Sequence, residues 1–143
     1  MFFKRRVAAL VASAGLLAGC ADQTVSATQA WVREPVPGSD KSVAYFTLHN
    51  HTDAAITLMG ARADGIRAIE MHTTTTGEGG VLRMRRLISV SLKPNETVKF
   101  APRGKHLMLF GIEVLSDPLP VQLEFDGGAT LMVEFDVQGL LGD

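Results

Sequence analysis

Lys105-His106-Leu107-Met108-Leu109 places an imidazole and a thioether two residues apart inside an apolar, strand-like run. Side chains at i and i+2 of a strand leave from one face, so His106 and Met108 converge while Leu107 and Leu109 turn to the other. Two more donors stand upstream, His72 and Met84, and the spacing reads His-x11-Met-x21-His-x-Met. Met84 lies in Val81-Leu82-Arg83-Met84-Arg85-Arg86, where three arginines make a core methionine hard to explain. If the segment from His72 to Met84 doubles back as a hairpin beside His106-x-Met108, four donors share one ligand sphere. Two imidazoles and two thioethers, with no thiol, form a soft nitrogen and sulfur set that suggests Cu(I) before other metals.

Thioethers suit an oxidising compartment, because they form no disulfides and have no proton to lose. The imidazoles must be unprotonated to bind, so metal affinity is expected to weaken as pH falls through the ordinary histidine range near 6.5. Cys20 is the single cysteine, so no disulfide or thiolate site can form downstream of it. A blue-copper electron carrier needs a cysteine beside two histidines, and its absence points to metal carriage without electron transfer. No G-x-S-x-G elbow or Ser/His/Asp set is evident, so a hydrolase is not indicated and no enzymatic activity is expected.

Residues 1–20 read as an export signal: Lys4, Arg5 and Arg6 form a basic start, Val7 to Ala18 an uncharged stretch, and Leu17-Ala18-Gly19-Cys20 resembles the lipobox of a bacterial lipoprotein. The apolar stretch is shorter than the ~20 residues that span a bilayer. Cys20 is therefore the expected lipidation site, holding a periplasmic domain at the envelope membrane. Without Lys4, Arg5 and Arg6 the 14 basic residues fall to 11 against 15 acidic, a formal charge of −4. That mildly acidic remainder has no aromatic-basic interleaving, which argues against nucleic acid as a partner.

Residues 21–29 are small and polar and read as a short tether, with one domain over residues 30–143. Turn signals recur at short intervals, among them Pro35-Val36-Pro37-Gly38, Asp64-Gly65, Gly77-Glu78-Gly79-Gly80, Lys93-Pro94-Asn95 and Asp126-Gly127-Gly128. Between them lie short alternating or apolar runs: Ser42 to Leu48, Ala55 to Ala61, Ile66 to Met71, Glu96 to Phe100, His106 to Val114, Val121 to Phe125 and Thr130 to Val137. This spacing, without a persuasive helix, predicts an all-β antiparallel sandwich or barrel. His72 is expected at a strand end, entering a polar loop over residues 73–80.

Ile69-Glu70-Met71-His72, Val81-Leu82-Arg83-Met84-Arg85 and Pro102-Arg103-Gly104-Lys105-His106-Leu107-Met108-Leu109 resemble the periplasmic copper chaperone family, the PCuAC-like proteins. Trp31-Val32-Arg33, Ala44-Tyr45-Phe46 and Asn50 extend the resemblance across nearly the whole chain beyond Cys20. It implies a cupredoxin-like Greek-key β-sandwich that binds Cu(I) near its surface and supplies the CuA centre of cytochrome c oxidase or another copper chaperone. It further implies His72, Met84, His106 and Met108 as ligands. Leu82 departs from the pattern, since many members carry a second methionine there, and Met84 is left without a local substitute.

His49 and His51 flank Asn50 at a turn and could hold Cu(II), but no further ligands accompany them, so solvated histidines are the plainer expectation. Met59, Met71 and Met132 are expected as core filler. Trp31 could pack under the sandwich or beside the metal site. Two other functions fit the same architecture: a copper buffer or scavenger, and an envelope or adhesion lipoprotein whose His and Met residues are incidental.

Overall fold

The computed structural model describes residues 24–141, so the export signal, Cys20 and the start of the tether lie outside the described residues. Ten strands follow one another: β1 (Val25–Arg33), β2 (Lys41–Asn50), β3 (Ile56–Arg62), β4 (Ile66–Thr76), β5 (Leu82–Leu87), β6 (Val90–Leu92), β7 (Thr97–Phe100), β8 (Lys105–Ile112), β9 (Leu119–Phe125) and β10 (Thr130–Gln138). They hydrogen-bond in the order β5-β4-β8-β7-β2-β1-β10-β9-β3-β6, and β8 also pairs with β2. A further pairing of β3 with β4, Ala61 opposite Ile69, brings the two ends of that order together. The result is an all-β, cupredoxin-like Greek-key sandwich curled into a barrel.

Alternation drives the closure. Val121, Leu123 and Phe125 of β9 and Val133 and Phe135 of β10 all point inward, at 0–8 % exposure, while Glu134 and Asp136 face water. Leu107 and Leu109 of β8 are buried in the same core, so β8 turns its other face, with His106 and Met108, outward. Burying one such leucine contributes about 1.5–3 kcal/mol, which fixes the register, because a one-residue slip would exchange the faces. Asn50 is 2 % exposed yet satisfied: its amide donates to the carbonyls of Ala54 (2.8 Å) and Lys93 (3.0 Å) and its oxygen accepts from the Thr52 amide (3.0 Å). One side chain thus ties the β2–β3 turn to the β6–β7 turn. Gly65 turns β3 into β4 at φ +77°, where a Cβ would lie 2.7 Å from the Val114 carbonyl oxygen.

The structure differs from the sequence expectations at several places. β1 begins at Val25 and takes most of the stretch read as a tether into the sheet, pairing Val25 with Asn50 and Thr28 with Thr47 before an irregularity at Gln29, whose φ is +52°. β4 runs on through Thr73–Thr76, because β-branched threonines fit a pleated strand, so His72 sits within the strand and not at its end. Met71 is core as expected, but Met59 and Met132 are 48 % and 60 % exposed. Each stands beside an inward neighbour, Leu58 or Val133, so alternation turns it out.

Candidate metal centre

Four adjacent strands deliver a row of rings to the outer face of the sheet. Trp31 on β1 lies opposite Tyr45 on β2, with ring centres 4.8 Å apart. Ala44 pairs with Leu107, which sets Tyr45 beside His106 of β8 at 6.4 Å. His106 faces His72 on β4 in direct register, ring centres 5.8 Å apart. Trp31 therefore belongs beside the site and not beneath the sandwich. His106 is 3 % exposed and the His72 side chain 14 %, so both imidazoles are shielded although they lie outside the hydrophobic core.

Each histidine has one nitrogen engaged and one without a partner. His72 Nε2 donates to the Glu70 carboxylate at 2.9 Å, and Arg86, opposite His72 on β5, reaches the other Glu70 oxygen at 3.7 Å. His106 Nδ1 donates to the Gly104 carbonyl at 3.2 Å. Nδ1 of His72 and Nε2 of His106 are buried without a hydrogen-bond partner among the described residues. A neutral imidazole carries one N–H and one lone pair, so these bonds leave a lone pair on each orphaned nitrogen. A buried polar atom without a partner costs about 1–3 kcal/mol, and its retention is explained by a partner from outside the chain, a water or an ion. With metal–nitrogen bonds of about 2 Å, as histidine makes to zinc, one ion spans ring centres at this separation.

Two thioethers lie on the same face. Met108 follows His106 by two residues, stands opposite Glu70 on β4 and Val43 on β2, and is half-buried. Met84 lies on β5 opposite Thr74, diagonal to His72 and on the same face, because His72 pairs with Arg86. Diagonal neighbours on adjacent strands are ~7–8 Å apart, within reach of an unbranched thioether. Met84 is 55 % exposed. The hairpin expected between His72 and Met84 is present, tighter than expected, with its turn confined to the segment between Thr76 and Leu82. Among the described residues no group of three or more His, Cys, Asp or Glu could hold a metal.

Electrostatics favour the neutral imidazole of His106. Burial pushes the His106 pKa below its ordinary value, and nearby His72 adds to this, while the bond to Gly104 works the other way. The hydrogen bond from His72 holds the Glu70 carboxyl below the usual carboxylate range, with help from Arg86 against a desolvation penalty. Glu70, Gly104 and Tyr45 were not among the candidate ligands read from the sequence. The same i, i+2 rule that joined His106 to Met108 also joins Glu70 to His72.

His49 and His51 stack at 5.8 Å with their planes 17° apart, and three of their four ring nitrogens meet hydroxyls: Thr28 and Thr97 at His49, Ser26 at His51. No third His, Cys, Asp or Glu joins them as a metal-holding group among the described residues.

The LpqE-like family model matches residues 25–137, β1 through β10. The chain belongs to the LpqE-like family. Among curated relatives of this LpqE-like chain, the uncharacterized protein RP573 of Rickettsia prowazekii (strain Madrid E) is 27 % identical over 127 residues, 82 % of this chain and 68 % of that protein. Among solved structures, the copper-bound PCuAC domain from PmoF2 superposes with a TM-score of 0.68 at 20 % identity, covering 81 % of this chain and 93 % of that domain. Apo-DR1885 from Deinococcus radiodurans gives 0.62 at 26 % identity over 100 % of this chain and 98 % of its own. The Cu(I) form of DR1885 gives 0.58 at 25 % identity, covering 82 % and 78 %. The resemblance to PCuAC-type proteins drawn from the sequence is thereby borne out, and with it the fold.

Proposed function

We propose that this LpqE-like chain is a Cu(I) chaperone of the periplasm, held at the envelope membrane by lipid on Cys20, and that His72, Met84, His106 and Met108 hold the ion. The observation that carries this reading is the pair of buried lone pairs, His72 Nδ1 and His106 Nε2, on cross-strand neighbours flanked by two thioethers. Four neutral donors leave the ion its charge and match a soft monovalent metal better than Zn(II), which usually takes cysteine, histidine or carboxylate. The Cu(I) form of DR1885 supports the choice of metal, and the word lipoprotein in the family's description supports the anchor.

Carriage is ligand exchange, not catalysis. Shielded His72, His106 and Met108 retain the ion, while Met84 on the outer strand is the donor an acceptor reaches first. As an acceptor donor binds Cu(I), the bond to the Met84 sulfur breaks, with no change of oxidation state. The CuA centre of cytochrome c oxidase is the proposed destination. Titration against a chromophoric Cu(I) chelator is expected to show one tight equivalent, lost in His106→Ala and in Met108→Ala with unchanged far-UV circular dichroism. Uptake that survives both substitutions rejects this site. Copper exchange with a soluble CuA domain then separates a chaperone from a buffer, which would keep its metal.

A further inference from the structure

β5 is an edge strand, bonded only to β4, and every residue from Leu82 to Arg86 is exposed. Val81, Leu82, Met84 and Ile88 are 54, 60, 55 and 83 % exposed, a local concentration of apolar surface of the kind found at interaction sites. Arginines interleave with them. Arg83 and Arg85 lie on the face opposite Met84, level with Thr75 and Thr73, and Lys105 on β8 is level with Thr73 from the other side. Arg86 pairs with Glu70, whereas Arg83, Arg85 and Lys105 form no ion pair among the described residues.

Charge is segregated along the chain. Seven of its eleven basic residues beyond Cys20 fall between Arg83 and Lys105, with Glu96 the one acid among them, while residues 113–143 hold seven acids and no Lys or Arg. The described ones sit on β9, β10 and their flanks; β10 lies across the barrel from β4 and β5, while β9 is separated from β4 by β3. The domain is therefore acidic overall but presents a basic edge where the exposed methionine stands.

We infer that the β5 edge is the docking surface for an acidic face on the protein that receives the metal, an inference that rests on the copper reading of the site it borders. Guanidiniums on one side of the edge pair with carboxylates, and Leu82 and Met84 on the other side are covered as the acceptor's donors approach. Arginines on an edge strand also discourage edge-to-edge aggregation, but that role requires no apolar neighbours and no particular partner charge. A bilayer of anionic lipid would match the same mixture. Met84 at the centre favours a protein, because a transfer surface must bring new metal donors and a bilayer offers none.

Two synthetic dithiol peptides of equal Cu(I) affinity, one flanked by glutamates and one by lysines, serve as acceptors in stopped-flow transfer from the Cu(I)-loaded chain. At low salt the acidic peptide is expected to take copper about 10-fold faster, an advantage that collapses at high salt. Arg83→Glu/Arg85→Glu should reverse the preference while leaving affinity in the chelator assay unchanged. Equal rates for both peptides, or a preference that survives the double substitution, overturns the proposal. Binding to phosphatidylglycerol vesicles that disappears in the double variant, with no peptide preference, assigns the edge to a membrane instead. An arm without metal separates the two readings: the acidic peptide with serines for cysteines should shift amide resonances of β5 in the apo chain. If the chain takes up no Cu(I), the copper reading fails, and these shifts still decide whether the edge binds acidic partners.

Discussion

Removing the Glu70 carboxylate tests the site through a residue that is not proposed to touch the metal. Glu70 accepts the Nε2 proton of His72 at 2.9 Å, which keeps the Nδ1 lone pair free and limits rotation of the ring. When Nδ1 binds a cation the remaining N–H becomes more acidic and its bond to the carboxylate strengthens, so the loss falls mainly on the loaded state. Partners of this kind are worth about 10–100-fold in metal affinity. The low end applies here, because the Glu70 side chain is 28 % exposed and shares its charge with Arg86. Glu70→Ala should therefore weaken Cu(I) binding about 10-fold, with Glu70→Gln intermediate because its amide oxygen still accepts the proton. Chelator competition reads the affinities, and thermal unfolding checks that an outward residue has been changed without harm to the core. An alanine variant that binds within about two-fold of the wild type, with native unfolding, would refute the idea that His72 is held ready through Nε2 and binds through Nδ1.

Two further outcomes follow from the same hydrogen bonds. Long-range proton–nitrogen correlation spectra of the apo chain should show opposite tautomers, His72 protonated on Nε2 and His106 on Nδ1, and a shared tautomer would leave one lone pair pointing the wrong way. Burial lowers the His106 pKa, so below the ordinary value of about 6.5 the unfolded chain binds more protons at this position than the folded one. Stability of the apo chain that is present above that pH should fall as pH drops toward 5, and His106→Gln should flatten the dependence. Urea unfolding of both proteins across this range checks it, and parallel slopes would show that His106 is not the group responsible.

Much of the frame is legible because its residues alternate. Leu107 and Leu109 specify the inner face of β8, and that alone places His106 and Met108 together outside. The same rule, applied to Met132 with Glu134 and Asp136, would have turned that methionine outward, since three side chains at two-residue spacing share a face and two are carboxylates. β1 is obscured for a different reason. Val25 to Gln29 has the small, polar composition of a linker, and its strand state comes from pairing with β2, a tertiary fact that local composition does not carry. The threonines after His72 are a milder case, polar in type but β-branched in shape, and shape prevails once β5 pairs with all four and β8 with Thr73.

The four candidate donors follow from spacing, but what would make them ligands does not. Which nitrogen of His106 is free depends on a backbone carbonyl two residues away, and which nitrogen of His72 is free depends on a carboxylate two residues earlier on the same strand. Both are short-range contacts, yet they matter only because β4 and β8 align in a register that sets the rings face to face. The thioethers then divide by their place in the sheet. Met108 lies between β2 and β4 and is half-buried, whereas Met84 lies on the outermost strand and is more than half exposed. A carrier needs one side that holds and one that yields. On the proposed copper reading, the sheet order supplies that difference between two chemically identical side chains, and releasing the ion would require rearrangement of one exposed methionine and not of the barrel.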